Sequence, residues 1–296
     1  MPDAAASAPR ERIHTLLIVG VLALASVLVI GLAGIAPARA STEDLLGQVR
    51  DPGDRAFIAA HRGGTAAPEN TLPAIHAALA AGFEYVEIDL ALTADGHAVL
   101  MHDRTVDRTT DGSGPLAGLT LAQVRALDAG GAFSPDFTGT RVPTAGEALD
   151  VIAAGGGRAL LDLKGRWDVT DVAVLAEQLT ARGLTDRVVA AAFDARTLAA
   201  LVAQAPELAR MATLKSLPDD VVDAAAQFGV SGLIVDRRAV VAHPEIVDEL
   251  HAAGFRLVVY TLNSDRQWDE VTRLGVDGIV TDDPDALHEW QRRAAR

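Results

Sequence analysis

The sequence predicts an α/β protein, a (β/α)8 TIM barrel, preceded by one N-terminal transmembrane or signal-anchor helix. Three observations carry this. Eight short apolar runs recur along the chain, stretches with apolar residues at helical spacing lie between them, and charged residues gather at the ends of the runs. A chain of 296 residues is long enough for two average domains, yet one barrel of about 250 residues accounts for it alone.

Composition narrows the chemistry. Hydrophobic residues make up 49% and charged residues 22%, which suits a globular chain with a large core. There is no cysteine, so disulfide scaffolds, Cys-ligated zinc, iron–sulfur clusters and thiol nucleophiles are excluded, and any metal takes O or N ligands. A net charge of −14 argues against a nucleic-acid surface, which needs a basic footprint. Only two lysines occur, Lys164 and Lys215.

The N-terminus reads as a targeting segment. Leu16 to Ile35 is free of charge and follows Arg10 and Arg12; at about 1.5 Å per residue it reaches across a hydrocarbon core of about 30 Å. The reading is a cytoplasmic N-terminus over 1–14, a single membrane span over 15–36, a linker over 37–54 and the barrel over 55–296. Positive charge before the span places the barrel outside the cytoplasm. Ala38-Arg39-Ala40 offers an alternative, cleavage near Ala40 and secretion. Beyond residue 40 the chain carries about −15, since the first forty residues hold three Arg, one Asp and one Glu.

The strand candidates, in order, are Phe57–His61, Tyr85–Leu90, Arg158–Lys164, Arg187–Ala192, Arg210–Leu214, Gly232–Val235, Arg256–Thr261 and Gly278–Thr281. Helical spacing marks Thr71–Ala81, Asp171–Arg182, Ala195–Ala205, Pro244–Ala253 and Asp265–Leu274. A ninth run, Ala98–Asp103, follows the second after only Thr93 to His97, too short a link for a parallel crossover. It is the return arm of a hairpin. With the turn near Ala94-Asp95, paired residue numbers sum to about 190, which sets His102 opposite Ile88.

Polar residues fall at the strand exits. Strand one ends in His61-Arg62-Gly63-Gly64, strand two holds Glu87-Ile88-Asp89, the hairpin returns through His102-Asp103, and the next parallel strand carries Asp162-Leu163-Lys164. Residues i and i+2 share a face of a strand, so Glu87 and Asp89 stand side by side, as do Asp162 and Lys164. Val86, Ile88 and Leu90 take the helix-facing side, which turns the carboxylates into the barrel. Three carboxylates are hard to bury together unless a divalent cation neutralises them, and oxygen ligands imply Ca2+ or Mg2+. Two histidines suit a general acid and a general base, and Arg62 and Lys164 are donors for an anion. Arg62 is expected to grip two oxygens of such an anion. Phosphoester chemistry follows.

At this point the chain resembles a known family. His61-Arg62-Gly63, Pro68-Glu69-Asn70-Thr71, Glu87-x-Asp89, Thr93-Ala94-Asp95-Gly96, His102-Asp103, Asp162-x-Lys164 and Val276 to Pro284 are similar, in kind and order, to the motifs of the glycerophosphodiester phosphodiesterases. The resemblance covers about residues 57–290. It implies a barrel hydrolase that splits glycerophosphodiesters into glycerol 3-phosphate and an alcohol with one divalent cation. It implies His61 and His102 as the catalytic pair, Glu87, Asp89 and Asp162 as metal ligands, and Arg62 and Lys164 as phosphate contacts; Glu69 is a further candidate substrate-binding residue. One departure stands out: the family usually has Glu at the position of Asp162, whereas the related sphingomyelinase D-type phospholipases have Asp-x-Lys. The alternative activity is therefore phospholipase D-like hydrolysis of lysophospholipids or sphingolipids on the same site, and an apolar groove beside the histidines is its expected mark.

Remaining residues take plainer readings. Asn70 is read as a helix cap, and Glu69 as a group able to orient a catalytic residue. Trp268 and Tyr260-x-x-Asn263 are read as packing or substrate contact alike. His76, His97, His243, His251 and His288 are read as surface residues, and Lys215, in no motif, as remote from the site.

Overall fold

The computed structural model describes residues 39–294. The expected membrane segment lies outside them; among the described residues no helix is long and apolar enough to cross a membrane.

Eight parallel strands close into a barrel. They are β1 (Phe57–Ala60), β2 (Tyr85–Leu92), β4 (Ala159–Leu163), β5 (Val188–Ala192), β6 (Ala209–Leu214), β7 (Gly232–Asp236), β8 (Arg256–Tyr260) and β9 (Gly278–Thr281), and the pairing of β1 with both β9 and β2 completes the ring. All eight expected strands are present, displaced by a residue or two at their ends. Strand β3 (Ala98–Leu100) is the antiparallel return arm, and its pairings Leu90↔Leu100, Ala91↔Val99 and Leu92↔Ala98 sum to 190 as the hairpin arithmetic requires. It is shorter than the expected Ala98–Asp103. The Met101 amide makes one more bond, to the Asp89 carbonyl at 3.1 Å, and the chain then carries His102 past the ladder.

Period-two alternation divides the core into two layers. Ile58, Ile88, Leu90, Leu161, Leu163 and Val235 face outward into the layer shared with the helices. Their neighbours Phe57, Tyr85, Leu160, Val189, Met211, Ile234, Val258 and Val280 fill the barrel interior. The covering helices start at side-chain caps. Thr71 caps α2 (Leu72–Ala81), and Thr144 with Glu147 forms a capping box on α4 (Ala145–Gly155), which follows the one-turn α3 (Leu121–Val124). Asp168, Asp194, Asp220 and Asp236 cap α5 (Val169–Ala181), α6 (Ala195–Gln204), α7 (Val221–Gln227) and α8 (Arg237–Ala242). Helices α9 (Ile246–Ala252), α10 (Asp265–Thr272) and α11 (Pro284–Ala294) complete the ring. The long connection between β3 and α4 packs on a small cluster of its own around Val99, Met101, Val106, Val124 and Val142.

The stretch expected as a linker, 37–54, holds a helix, α1 (Arg39–Leu46), that stops the N-terminal mouth of the barrel. Leu45 and Leu46 are buried in the interior layer with Phe57, Tyr85 and Leu160. Helix C-termini leave carbonyls without intrahelical partners, and here the barrel supplies the donors. The Tyr85 hydroxyl donates to the Leu45 carbonyl, Arg158 to the Leu45 and Asp44 carbonyls at 3.1 and 3.0 Å, and Arg256 to the Gly47 carbonyl at 2.9 and 2.6 Å. Just beyond, buried Asp277 accepts from the Arg50 and Leu257 amides at 3.2 and 2.7 Å. The half-buried His251 joins it, Nε2 to Oδ2 at 2.9 Å, and so is not the surface residue expected.

Leu45→Ala and Leu46→Ala are each expected to lower the unfolding free energy by about 2–5 kcal/mol, as for buried leucines generally. Because the plug lies at the mouth opposite the polar strand exits, kcat should not change. Urea unfolding and turnover on the same samples check both.

Candidate active site

The inward column of β2 runs from the plug upward as Tyr85, Glu87, Asp89. On the neighbouring strand Leu160 pairs with Glu87, and Asp162 with Asp89. The pairing brings three carboxylates together. Glu87, Asp89 and Asp162 are 3%, 0% and 7% exposed, and one oxygen from each lies within 4.8 Å of the others. Burial and the charge of Asp89 push Glu87 up to about 7. Burial also raises Asp162, against the pull of Lys164. Asp89 goes the other way, because Lys164 and Arg62 outweigh its burial. Asp162 Oδ1 is buried with no hydrogen-bond partner among the described residues. Three oxygen donors, one of them unpartnered, fit a hard divalent cation.

Cations and amides surround the cluster. Lys164, on the same face as Asp162, sets Nζ 2.8 Å from Asp89 Oδ1 and bonds Asp162 Oδ2 as well. Despite its burial its ammonium is held above the usual lysine range by Asp89, Asp162 and Glu87. After β1 the chain turns through His61–Gly63 with Arg62 in the left-handed region at φ 54°, which aims the Arg62 amide at Glu87 Oε2, 2.8 Å away. Gly63 makes the turn possible, since a Cβ there would lie 2.6 Å from Ala74 Cβ. Asn70, also at positive φ, clamps Asp89: Nδ2 donates to Oδ2 at 2.7 Å, and Oδ1 accepts from the Asp89 amide at 3.0 Å. Asn70 therefore does not cap α2; Thr71 does.

Each histidine is held by its own carboxylate. His61 Nδ1 lies 2.5 Å from Asp282 Oδ1, and Asn263 Nδ2 donates to Asp282 Oδ2 at 2.6 Å. Burial acts to lower His61, but Asp282 and the charge of Glu87 outweigh it, so its pKa is raised. His102 Nδ1 lies 2.6 Å from Asp103 Oδ1; Arg108 Nε donates to Asp103 Oδ2 at 2.7 Å, and Arg108 continues to Glu69 at 2.6 and 2.8 Å. Arg108 holds Asp103 well below the usual carboxylate range. With Nδ1 engaged on both rings, Nε2 is the nitrogen left for chemistry.

The cavity above the cluster measures about 590 Å3. Its lining includes His61, Arg62, Glu87, His102, Asp162 and Lys164, so six of the eight expected site residues meet in it, and Asp89 lies directly beneath. The eighth is placed differently. Glu69 is absent from the lining because Arg62 Nη1, at 2.7 Å, and Arg108 take its oxygens. It holds Arg62 and Arg108 in place. Arg62 Nε faces Asp89 at 3.2 Å, and its Nη1 faces Glu69.

Tyr260, read as packing or substrate contact alike, ends β8 and lines the cavity. Other lining or supporting residues escaped sequence reasoning: Phe193 follows β5, Lys215 follows β6, and Asp282, quoted only inside the closing motif, follows β9. Their common signal is position, at or just past a strand's C-terminal end. Lys215, expected to be remote, is in the cavity wall. Trp268 is a packing residue, 2% exposed, with Nε1 donating to the Leu262 carbonyl at 2.8 Å.

Known proteins can now be set beside this geometry. The sequence pattern of the Glycerophosphoryl diester phosphodiesterase family matches residues 61–286. A glycerophosphodiester phosphodiesterase of Caldanaerobacter subterraneus subsp. tengcongensis is 30% identical over 244 residues, which span 81% of this chain and 99% of that protein. The structure of an Oleispira antarctica phosphodiesterase in complex with the product sn-glycerol-3-phosphate superposes with a TM-score of 0.75 at 29% identity, covering 79% of this chain and 96% of that one. A Silicibacter pomeroyi structure described as a putative glycerophosphoryl diester phosphodiesterase gives 0.77 at 27% identity, with coverage of 86% and 97%. A barrel that carries these motifs in this order, matched over most of its length, belongs to the glycerophosphoryl diester phosphodiesterase family and is an enzyme of that class.

Proposed function

We propose that this enzyme hydrolyses glycerophosphodiesters to glycerol 3-phosphate and an alcohol, with His61 and His102 as an acid–base pair and one divalent cation, Ca2+ or Mg2+, held by Glu87, Asp89 and Asp162. The observation that carries the reading is the convergence of both histidines, three buried carboxylates and Lys164 at one cavity. When bound, the cation supplies positive charge to the phosphodiester and neutralises the carboxylates.

The chain's own groups do the rest. Lys164 faces the cavity and adds a point charge where the phosphoryl oxygens gain negative charge in the transition state. Arg62 offers Nη2, the guanidinium nitrogen its two carboxylate contacts leave over. One histidine takes a proton at Nε2 from the attacking hydroxyl, either water or the glycerol 2-hydroxyl, and the other gives a proton from Nε2 to the departing alkoxide; attack by the 2-hydroxyl gives a cyclic phosphate first, which water then opens to glycerol 3-phosphate. Asp282 and Asp103 fix the ring orientations and stabilise whichever imidazolium forms. Charged Arg104, Lys164 and Lys215 stand in the cavity wall where a lipid chain would need an apolar groove, which favours soluble diesters over lysophospholipids. The uncharged Leu16–Ile35 segment behind Arg10 and Arg12 supports an enzyme attached to the membrane with its barrel outside the cytoplasm.

Chelation with EDTA should abolish turnover and Ca2+ or Mg2+ should restore it; Glu87→Gln and Asp162→Asn should need more cation for half-maximal rate. Full turnover after chelation would remove the metal from the reading. His61→Ala and His102→Ala should each lower kcat by about 10²–10⁴-fold, and Lys164→Met by about 10²–10³-fold with the fold intact.

The Asp282 contact gives a separate outcome. Losing that carboxylate leaves burial, which lowers an imidazole pKa, so the His61 titration in Asp282→Asn should move to lower pH. NMR titration of the ring and the pH–rate limb that it governs should move together; an unshifted ring would mean that Asp282 does not act on His61.

A further inference from the structure

Both lysines of the chain stand in the cavity wall, one beyond β4 and the other beyond β6. Their ammonium groups approach the Phe193 ring, with Nζ at 5.8 Å from its centroid for Lys164 and 5.9 Å for Lys215. Lys164 is engaged with Asp89 and Asp162. Lys215 has no carboxylate within ion-pair distance among the described residues, and neither does Arg104, which lines the same cavity. Glu87 and Asp162 are the acidic residues of the lining, and both belong to the proposed metal set. The wall therefore carries two cations outside any ion pair among the described residues, with Asp236 the carboxylate at the neighbouring strand end, in a protein whose net charge is −14.

The wall also lacks what a quaternary ammonium needs. Such a group is recognised over an open aromatic face or beside a free carboxylate. Phe193 is already approached by two ammonium groups, and Tyr260 meets it edge-on, centroids 6.3 Å apart at 86°. We propose that Lys215, with Arg104, is a specificity determinant of the proposed hydrolysis, favouring diesters whose second alcohol carries negative charge and disfavouring those whose second alcohol is a quaternary ammonium. The inference rests on the hydrolase reading above and adds the class of alcohol. An exposed charge discriminates weakly, and exchanging attraction for repulsion adds to it, so the expected discrimination is about tenfold.

The test compares kcat/KM of the metal-loaded full chain on glycerophosphocholine, on neutral glycerophosphoglycerol and on glycerophosphoglycerol phosphate. Wild type should favour the anionic over the choline diester by about tenfold, and the preference should shrink as salt is raised. Lys215→Met should weaken the ratio and Lys215→Glu abolish or invert it. Arg292→Glu, the same charge change on exposed α11, should leave it as in wild type. Lys215 is exposed, so both variants should melt with the wild type. Hydrolysis of all three diesters with a ratio that Lys215→Glu does not move overturns the selectivity alone. A wild type inactive on all three overturns the hydrolase reading and this inference with it.

Discussion

Three carboxylates buried within reach of one another set the terms for everything around them. Like charges at such spacing in a poorly solvated place repel strongly, and burial penalises each one further. The surroundings answer with every means a protein has. Lys164 bridges Asp89 and Asp162, Arg62 presents Nε to Asp89, its amide serves Glu87, and Asn70 clamps Asp89. These contacts still leave Glu87 near neutrality in pH terms and one oxygen of Asp162 unpartnered. The site is thus underneutralised by its own residues. That imbalance is what a divalent cation would correct, in a barrel interior otherwise largely apolar.

The same strand alternation that creates the cluster also isolates it. Tyr85, Glu87 and Asp89 form one inward column; its lowest member binds the C-terminus of α1, and its upper members make the site. Plug and site are two ends of one stack of side chains, with Leu160, Val189, Met211 and Ile234 between them. Water is kept from the floor by apolar packing and from the lower mouth by Leu45 and Leu46. A shift of register by one residue would turn the carboxylates toward the helices and the isoleucines inward, so fold and function depend on the same alternation.

How much of this was legible in the sequence depended on range. Strands, the hairpin sum and the inward direction of Glu87 and Asp89 follow from local periodicity, and they are found where it puts them. Contacts between distant segments left no such trace. His61 meets Asp282 across 221 residues, and the half-buried His251 packs against Asp277 because both lie at the barrel's lower rim. Asn70 resembled a cap because it precedes a helix, yet Thr71 took that role and freed Asn70 for Asp89, nineteen positions along. Helix α1 was hidden for a different reason: with Arg, Ser, Thr, Glu and Asp among its eight residues, its composition resembles a linker until the barrel supplies donors for its carbonyls.

The two histidines are not equivalent, and the difference lies in what stands behind them. His61 leans on Asp282, whose other oxygen is held only by the neutral amide of Asn263, and its pKa is raised. His102 leans on Asp103, but Arg108 draws charge from that carboxylate and passes the network through Glu69 to Arg62. Behind one ring is a carboxylate with its charge largely available; behind the other is a carboxylate already paired with a guanidinium. The first arrangement raises the pKa of its own imidazole, while the second ties ring orientation to Arg62. In the proposed mechanism a division of acid and base roles needs such an asymmetry, and its source is one difference of partner, an amide in place of an arginine, at otherwise parallel His–Asp pairs.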